Sequence, residues 1–209
     1  MPRGDEVLKV RSRSRRAARS PKKLSPAALA ALPDEELLEA VQRQTFRFFW
    51  EGAHPVSGLA PDRRTTREAD PIDDLVTTGG SGFGVMAILV AVERGWVTRG
   101  EALARIASML DVLLRATCYH GVLPHFMNGL TGATIPFSRK DDASDLVETS
   151  FLCMGLLCAR QYFQGDAPAE QALRGRVTQL CDEVEWDWHT QGGRKLLYWH
   201  WSPNNGWAM

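Results

Sequence analysis

Two stretches of this chain, GGSGFGVMAILVAVERG from Gly79 and LVETSFLCMGLLCARQYF from Leu146, are apolar almost all the way round at helical spacing. A helix without a polar face has to be covered on every side, so both are predicted to be buried. They also overlay at an offset of 68 residues: Phe83 falls on Phe151, Met86 on Met154, Ala87 on Gly155, Ile88 on Leu156 and Leu89 on Leu157. A repeat of this length made of helix pairs predicts stacked helical hairpins, and so an all-α fold.

The rest of the chain fits around this pair. Ser25-Pro26 is a helix-start signal for a short lead-in that breaks at Leu32-Pro33. Asp34 to Glu51 reads as an amphipathic helix with Leu37, Leu38, Val41, Thr45, Phe48 and Phe49 on its apolar face. Thr98 caps a helix over roughly Arg99 to Cys118, and Pro168 opens another that runs to about Trp186. The connections alternate long, short, long, short, long. Helices joined by tight turns run antiparallel, so every second loop lies at the same end. The three long segments, Trp50–Thr78, Tyr119–Glu148 and Asp187–Met209, are therefore predicted to share one face. Long loops in a compact domain usually carry function.

Composition narrows the partners. The 209 residues suffice for one core, and 25 basic residues balance 25 acidic ones, which argues against nucleic acid. Residues 1–24 are basic, lack any apolar period and read as a disordered arm; residues 25–209 read as one domain. No apolar run is long enough for a membrane span, and no signal-peptide core follows the arginines. Taken literally, that places the chain in the cytoplasm. Cys118, Cys153, Cys158 and Cys181 show no metal spacing and read as reduced core residues.

The long-loop face carries the chemistry. Asp141, Asp142, Asp145 and Glu148 place four carboxylates at the mouth of the second apolar helix. Asp145 and Glu148 also fit a capping box, which would explain them without catalysis; it leaves Asp141 and Asp142 unexplained. Crowded acids repel, and the raised pKa that results suits a general acid, with Asp142 and Glu148 as the leading candidates. Trp50, His54, His125, Trp199, His200, Trp201, Asn205 and Trp207 add the flat rings and polar groups that a sugar cleft needs. The glycines from Gly79 to Gly84 match no phosphate-loop pattern and read as close packing. No histidine spacing supports a metal, and no cofactor is expected.

Several runs, in order, resemble one family. FRFFWEGAHPVSGLA, VTTGGSGFGVMAILVAVERGW, YHGVLPHFMNGLTGATIPFS, DDASDLVETSFLCMGLLCARQYF and LYWHWSPNNGWAM are similar to the glycoamylase-like domain family. That family is related to bacterial endo-beta-1,2-glucanases and to a domain of cyclic beta-1,2-glucan synthases. The resemblance covers about residues 35–209. It implies an (α/α)6 toroid of two concentric helix rings, of which this chain would be the N-terminal part. It also implies a glycoside hydrolase acting on an oligo- or polysaccharide β-glucan, with export to the periplasm or cell surface in many members. The acids at Asp141–Glu148 would then supply one catalytic carboxylate. The second, and the C-terminal half of the domain as partner, would lie outside this chain, which alone is expected to be inactive. A non-catalytic carbohydrate-binding protein and a helical-repeat interaction protein are the alternatives.

Overall fold

The computed structural model describes residues 25–64 and 74–208; the basic arm lies outside the described residues. The chain divides into two compact units, residues 1–38 and 39–209. In the first, Ser25 caps α1 (Pro26–Ala30) by accepting a bond from the Ala28 amide, as the Ser-Pro signal predicts. α2 (Asp34–Trp50) carries the boundary between the units.

Besides the part of α2 from residue 39, the second unit contains α3 (Thr78–Glu93), α4 (Arg99–Leu113), α5 (Leu146–Tyr162) and α6 (Pro168–Asp182). α4 starts with a complete Thr98–Glu101 capping box and ends several residues before the predicted Cys118. The core joins Val85, Ile88 and Ala91 of α3 with Ile106, Met109 and Leu110 of α4, Leu152 and Leu156 of α5, and Leu173 and Val177 of α6.

The two overlaid helices, α3 and α5, pack against each other. Their crossing is built on glycine: a Cβ on Gly82 would lie 2.2 Å from the Phe151 carbonyl oxygen, and one on Gly155 2.1 Å from that of Gly82. Only residues without a side chain let two backbones approach this closely. Phe83 and Phe151, matched in the overlay, meet as rings 5.3 Å apart.

Three expectations need correction. The apolar helices are not covered all round, because Phe83, Val90, Phe151, Met154 and Leu157 are exposed. Each helix uses one flank for the core and another for its twin, which leaves a third face open among the described residues. The buried side chain of α2 is Phe46, while Leu38 and Val41 of the predicted face are exposed. Of the four free cysteines only Cys153 is buried and Cys181 partly so; Cys118 and Cys158 are exposed.

The long segments are not plain loops. β1 (Leu75–Thr77), β2 (Phe126–Asn128) and β3 (Thr134–Ile135) form an antiparallel sheet in the order β1-β2-β3, with Val76 opposite Met127. β4 (Ser144–Asp145) pairs with β5 (His200–Trp201), with Asp145 opposite His200. These pairs join all three long segments to one another at the N-terminal ends of α3 and α5.

Candidate active site

The N-terminus of α5 starts at Asp145, which is fully buried. Its Oδ1 accepts the Glu148 amide at 2.9 Å and the Trp199 indole N–H at 2.8 Å. Its Oδ2 lies 3.0 Å from His125 Nδ1. One half of the predicted capping box is therefore present and the other is not.

Glu148 does not return to the cap. Its Oε2 crosses to the first turn of α3, where it accepts the Gly79 amide at 2.7 Å and the Thr77 hydroxyl at 2.9 Å. The site suits a carboxylate, since free amides and a positive dipole end gather at a helix N-terminus. Oε1 takes no hydrogen bond among the described residues. Gly79 leaves room for this contact: a Cβ there would lie 2.8 Å from Glu148 Oε2.

Beside Glu148 opens a cavity of about 350 Å³. Phe48 and Phe49 of α2, Phe83 of α3 and Phe151 of α5 supply its apolar walls, and Asp62, Thr77, His125 and Glu148 its polar groups. Of the residues singled out in the sequence, only His125 and Glu148 line it. The phenylalanines read from the sequence as parts of apolar helices, and nothing in the sequence singles out Asp62. The signal in the sequence is the glycine run, which reads as close packing: Gly79 and Gly80 both line the cavity.

The other acids have separate partners. Asp141 is buried, and its Oδ1 lies 3.2 Å from His200 Nδ1, itself 3.9 Å from Asp145 Oδ2. Burial pushes the His200 pKa down, but Asp141 and Asp145 outweigh it, and the net shift is upward. Donor atoms of His125, Asp141 and Asp145 lie within 4.8 Å of one another, close enough for one cation to reach all three. Asp142 faces the other way, towards the turn after β5. The hydroxyl of Ser202 and the amides of Asn204 and Asn205 hold it below the usual carboxylate range, with Asn204 Nδ2 at 2.8 Å and Asn205 Nδ2 at 3.4 Å. Repulsion within the cluster thus does not raise Asp142.

The aromatic candidates also separate. Trp199 is 55% exposed and lies parallel to the His200 ring, with centroids 5.5 Å apart. One face is thereby backed and the indole N–H is fixed on Asp145. Trp201 and Trp207 pack instead with Trp188, which stacks on His120 at 3.8 Å. Trp50 lies between Phe46 and the Arg105 guanidinium. His54 is buried as a staple between Asp74 and Ser57, at 3.1 Å from each.

No family model matches the chain. It is 44% identical over 180 residues to an exo beta-1,2-glucooligosaccharide sophorohydrolase (non-reducing end) of Parabacteroides distasonis, a match over 85% of this chain and 24% of that protein. Among solved structures, one named "putative glucoamylase" from Bacteroides uniformis is 51% identical with a TM-score of 0.78, over 85% of this chain and 42% of that one. The endo-beta-1,2-glucanase of Chitinophaga pinensis, solved with sophorotriose and glucose, is 46% identical with a TM-score of 0.80, over 85% and 43%. The chain thus spans about a quarter of the sophorohydrolase and about two fifths of the two solved relatives. Over that share of their length, it matches the glucoamylase-like, beta-1,2-glucanase-related family.

Proposed function

We propose that the phenylalanine-lined cavity holds one glucosyl unit of a β-1,2-linked glucan and that Glu148 is the carboxylate presented to it. The observation that carries this reading is the anchoring of Glu148 Oε2 by Gly79 and Thr77, which leaves Oε1 without a partner among the described residues, at an aromatic cavity. Aromatic walls suit the apolar faces of a pyranose, and carboxylate oxygens suit its hydroxyls. The names of the relatives supply the linkage.

Hydrolysis of a glycoside breaks the C1–O bond, delivers a proton to the departing oxygen and places the oxygen of water on C1. It uses two carboxylates, about 5–5.5 Å apart for retention and 6.5–9.5 Å apart for inversion. Glu148 is proposed as one of them. Asp145, which holds the Glu148 amide, the Trp199 indole and His125, is proposed to position the site, with Asp141 and His200 behind it. Asp142, engaged by two amides, suits a clamp on the 202–206 turn better than a proton donor. The backed ring of Trp199 is proposed as a platform for a neighbouring sugar.

Calorimetric titration with sophorotriose, alongside an assay for released sophorose and glucose, tests this reading. Saturable binding that is lost or weakened at least tenfold in Glu148→Ala supports the site. Binding without hydrolysis is expected of this chain alone; binding without hydrolysis by a version extended to the length of its relatives would make it a carbohydrate-binding protein, and no binding would refute the reading.

A further inference from the structure

The cavity that holds Glu148 has a second carboxylate on its wall, Asp62. Its place is set by hydrogen bonds two residues earlier. The Ala60 amide donates to Ser81 Oγ at 3.0 Å, and the Ala60 carbonyl accepts the Thr77 amide at 2.9 Å. Ser81 Oγ in turn donates to the Thr77 carbonyl at 2.7 Å. Residue 60 is thus fastened to the same turn of α3 whose Thr77 hydroxyl and Gly79 amide hold Glu148. Two residues of chain span at most about 7 Å, so Asp62 cannot move far from that turn. Arg63 Nε donates to Asp62 Oδ2 at 2.6 Å, which orients the carboxylate; among the described residues Oδ1 takes no hydrogen bond.

Among the described side chains, the hydrogen-bonding capacity left in the cavity is on acceptors. The Thr77 hydroxyl and the Gly79 amide are spent on Glu148, and the Thr77 amide on Ala60. His125, with Nδ1 donated to Asp145, offers Nε2 as an acceptor in its neutral form. Asp62 Oδ1 and Glu148 Oε1 are acceptors as well. A ligand that satisfies this wall has to bring O–H donors on its rim and an apolar face for Phe48, Phe49, Phe83 and Phe151. A pyranose with neighbouring equatorial hydroxyls does both.

We infer that Asp62 is a specificity-determining residue of this cavity, accepting hydrogen bonds from one or two hydroxyls of the glucosyl unit that Glu148 faces. The inference rests on the proposed sugar site and adds a residue to it. Hydrogen bonds from hydroxyls to a charged acceptor are individually strong, so removing the acceptor weakens binding by about tenfold to a hundredfold.

The test is calorimetric titration of the wild type, Asp62→Ala and Asp62→Asn with sophorotriose and a panel of its monodeoxy derivatives. Circular dichroism and thermal unfolding check that each variant keeps its fold. The wild type is expected to lose about tenfold in affinity for one or two of the deoxy ligands. Asp62→Ala is expected to bind sophorotriose about tenfold or more weakly and to treat those deoxy ligands like the parent, with Asp62→Asn in between. If wild type binds sophorotriose and Asp62→Ala binds it equally well with the same deoxy pattern, the role of Asp62 is overturned and the sugar site stands. If wild type does not bind, the sugar site falls and Asp62 with it.

Discussion

At the scale of single residues, the pairing of Gly79 with Glu148 gives a prediction that separates site from scaffold. A methyl at position 79 would lie 2.8 Å from the end of a flexible side chain, so Glu148 can swing away at little cost to the fold. Gly79→Ala is therefore expected to leave the melting temperature nearly unchanged while weakening sophorotriose binding about tenfold, roughly the worth of one charged hydrogen bond. Thermal unfolding and calorimetry on the same sample check both halves. His200 makes a second prediction, in stability. Its folded pKa lies above the unfolded value of about 6.5. Its ionic contribution is thus complete below that value and is lost as pH rises through the folded pKa. The melting-temperature gap between wild type and His200→Gln should be widest near pH 5.5 and narrow by pH 8.5. His189, whose pKa burial pushes down, gives the opposite trend: its contribution is present above about pH 6.5 and is lost as pH falls.

At the scale of elements, the α3–α5 crossing carries the argument. A Cβ on Gly82 would meet the Phe151 carbonyl and the Leu152 Cα, both backbone atoms that cannot step aside. Gly82→Ala is expected to cost about 1–3 kcal/mol or more. At Gly100, near the start of α4, a Cβ meets nothing within 4 Å, so Gly100→Ala should gain up to about 1 kcal/mol from helix propensity. Urea titrations of the two variants should therefore shift in opposite directions.

These elements also show what could be read from residue order alone. α1, α4, α5 and α6 start where proline, threonine or an acid marks the first turn, because such signals are decided within four residues. The partnership of α3 with α5 was visible as a repeated apolar pattern. The five strands were not, since each has only two or three residues and exists through pairing with a distant segment. Likewise Phe48, Asp62, Phe83 and Phe151 belong to four separate stretches of chain, and only the fold makes them neighbours. The spacing of Glu148 from Asp145 fits a capping box, but its donors lie about 70 residues away in sequence, at the N-terminus of α3.

At the scale of the whole molecule, the open stripe of Phe83, Val90, Phe151, Met154 and Leu157 stands out. Exposed apolar side chains of this kind are sticky. The protein is expected to bind a hydrophobic fluorescent dye while fully folded. Changing both Met154 and Leu157 to lysine should reduce that signal with little change in melting temperature, since exposed positions tolerate substitution within about 0.5 kcal/mol. A fall of many degrees would mean that these side chains support the fold.

The sugar site can be located directly by following backbone amide resonances while sophorotriose is added. Gly79 and Gly80 line the cavity, and the Gly79 amide is hydrogen-bonded to Glu148, so both signals should shift and saturate together with those of Asp62 and Phe83. A titration that leaves these four unmoved, or that shifts only residues around Trp188 and Trp207, would contradict the placement of the glucan at Glu148.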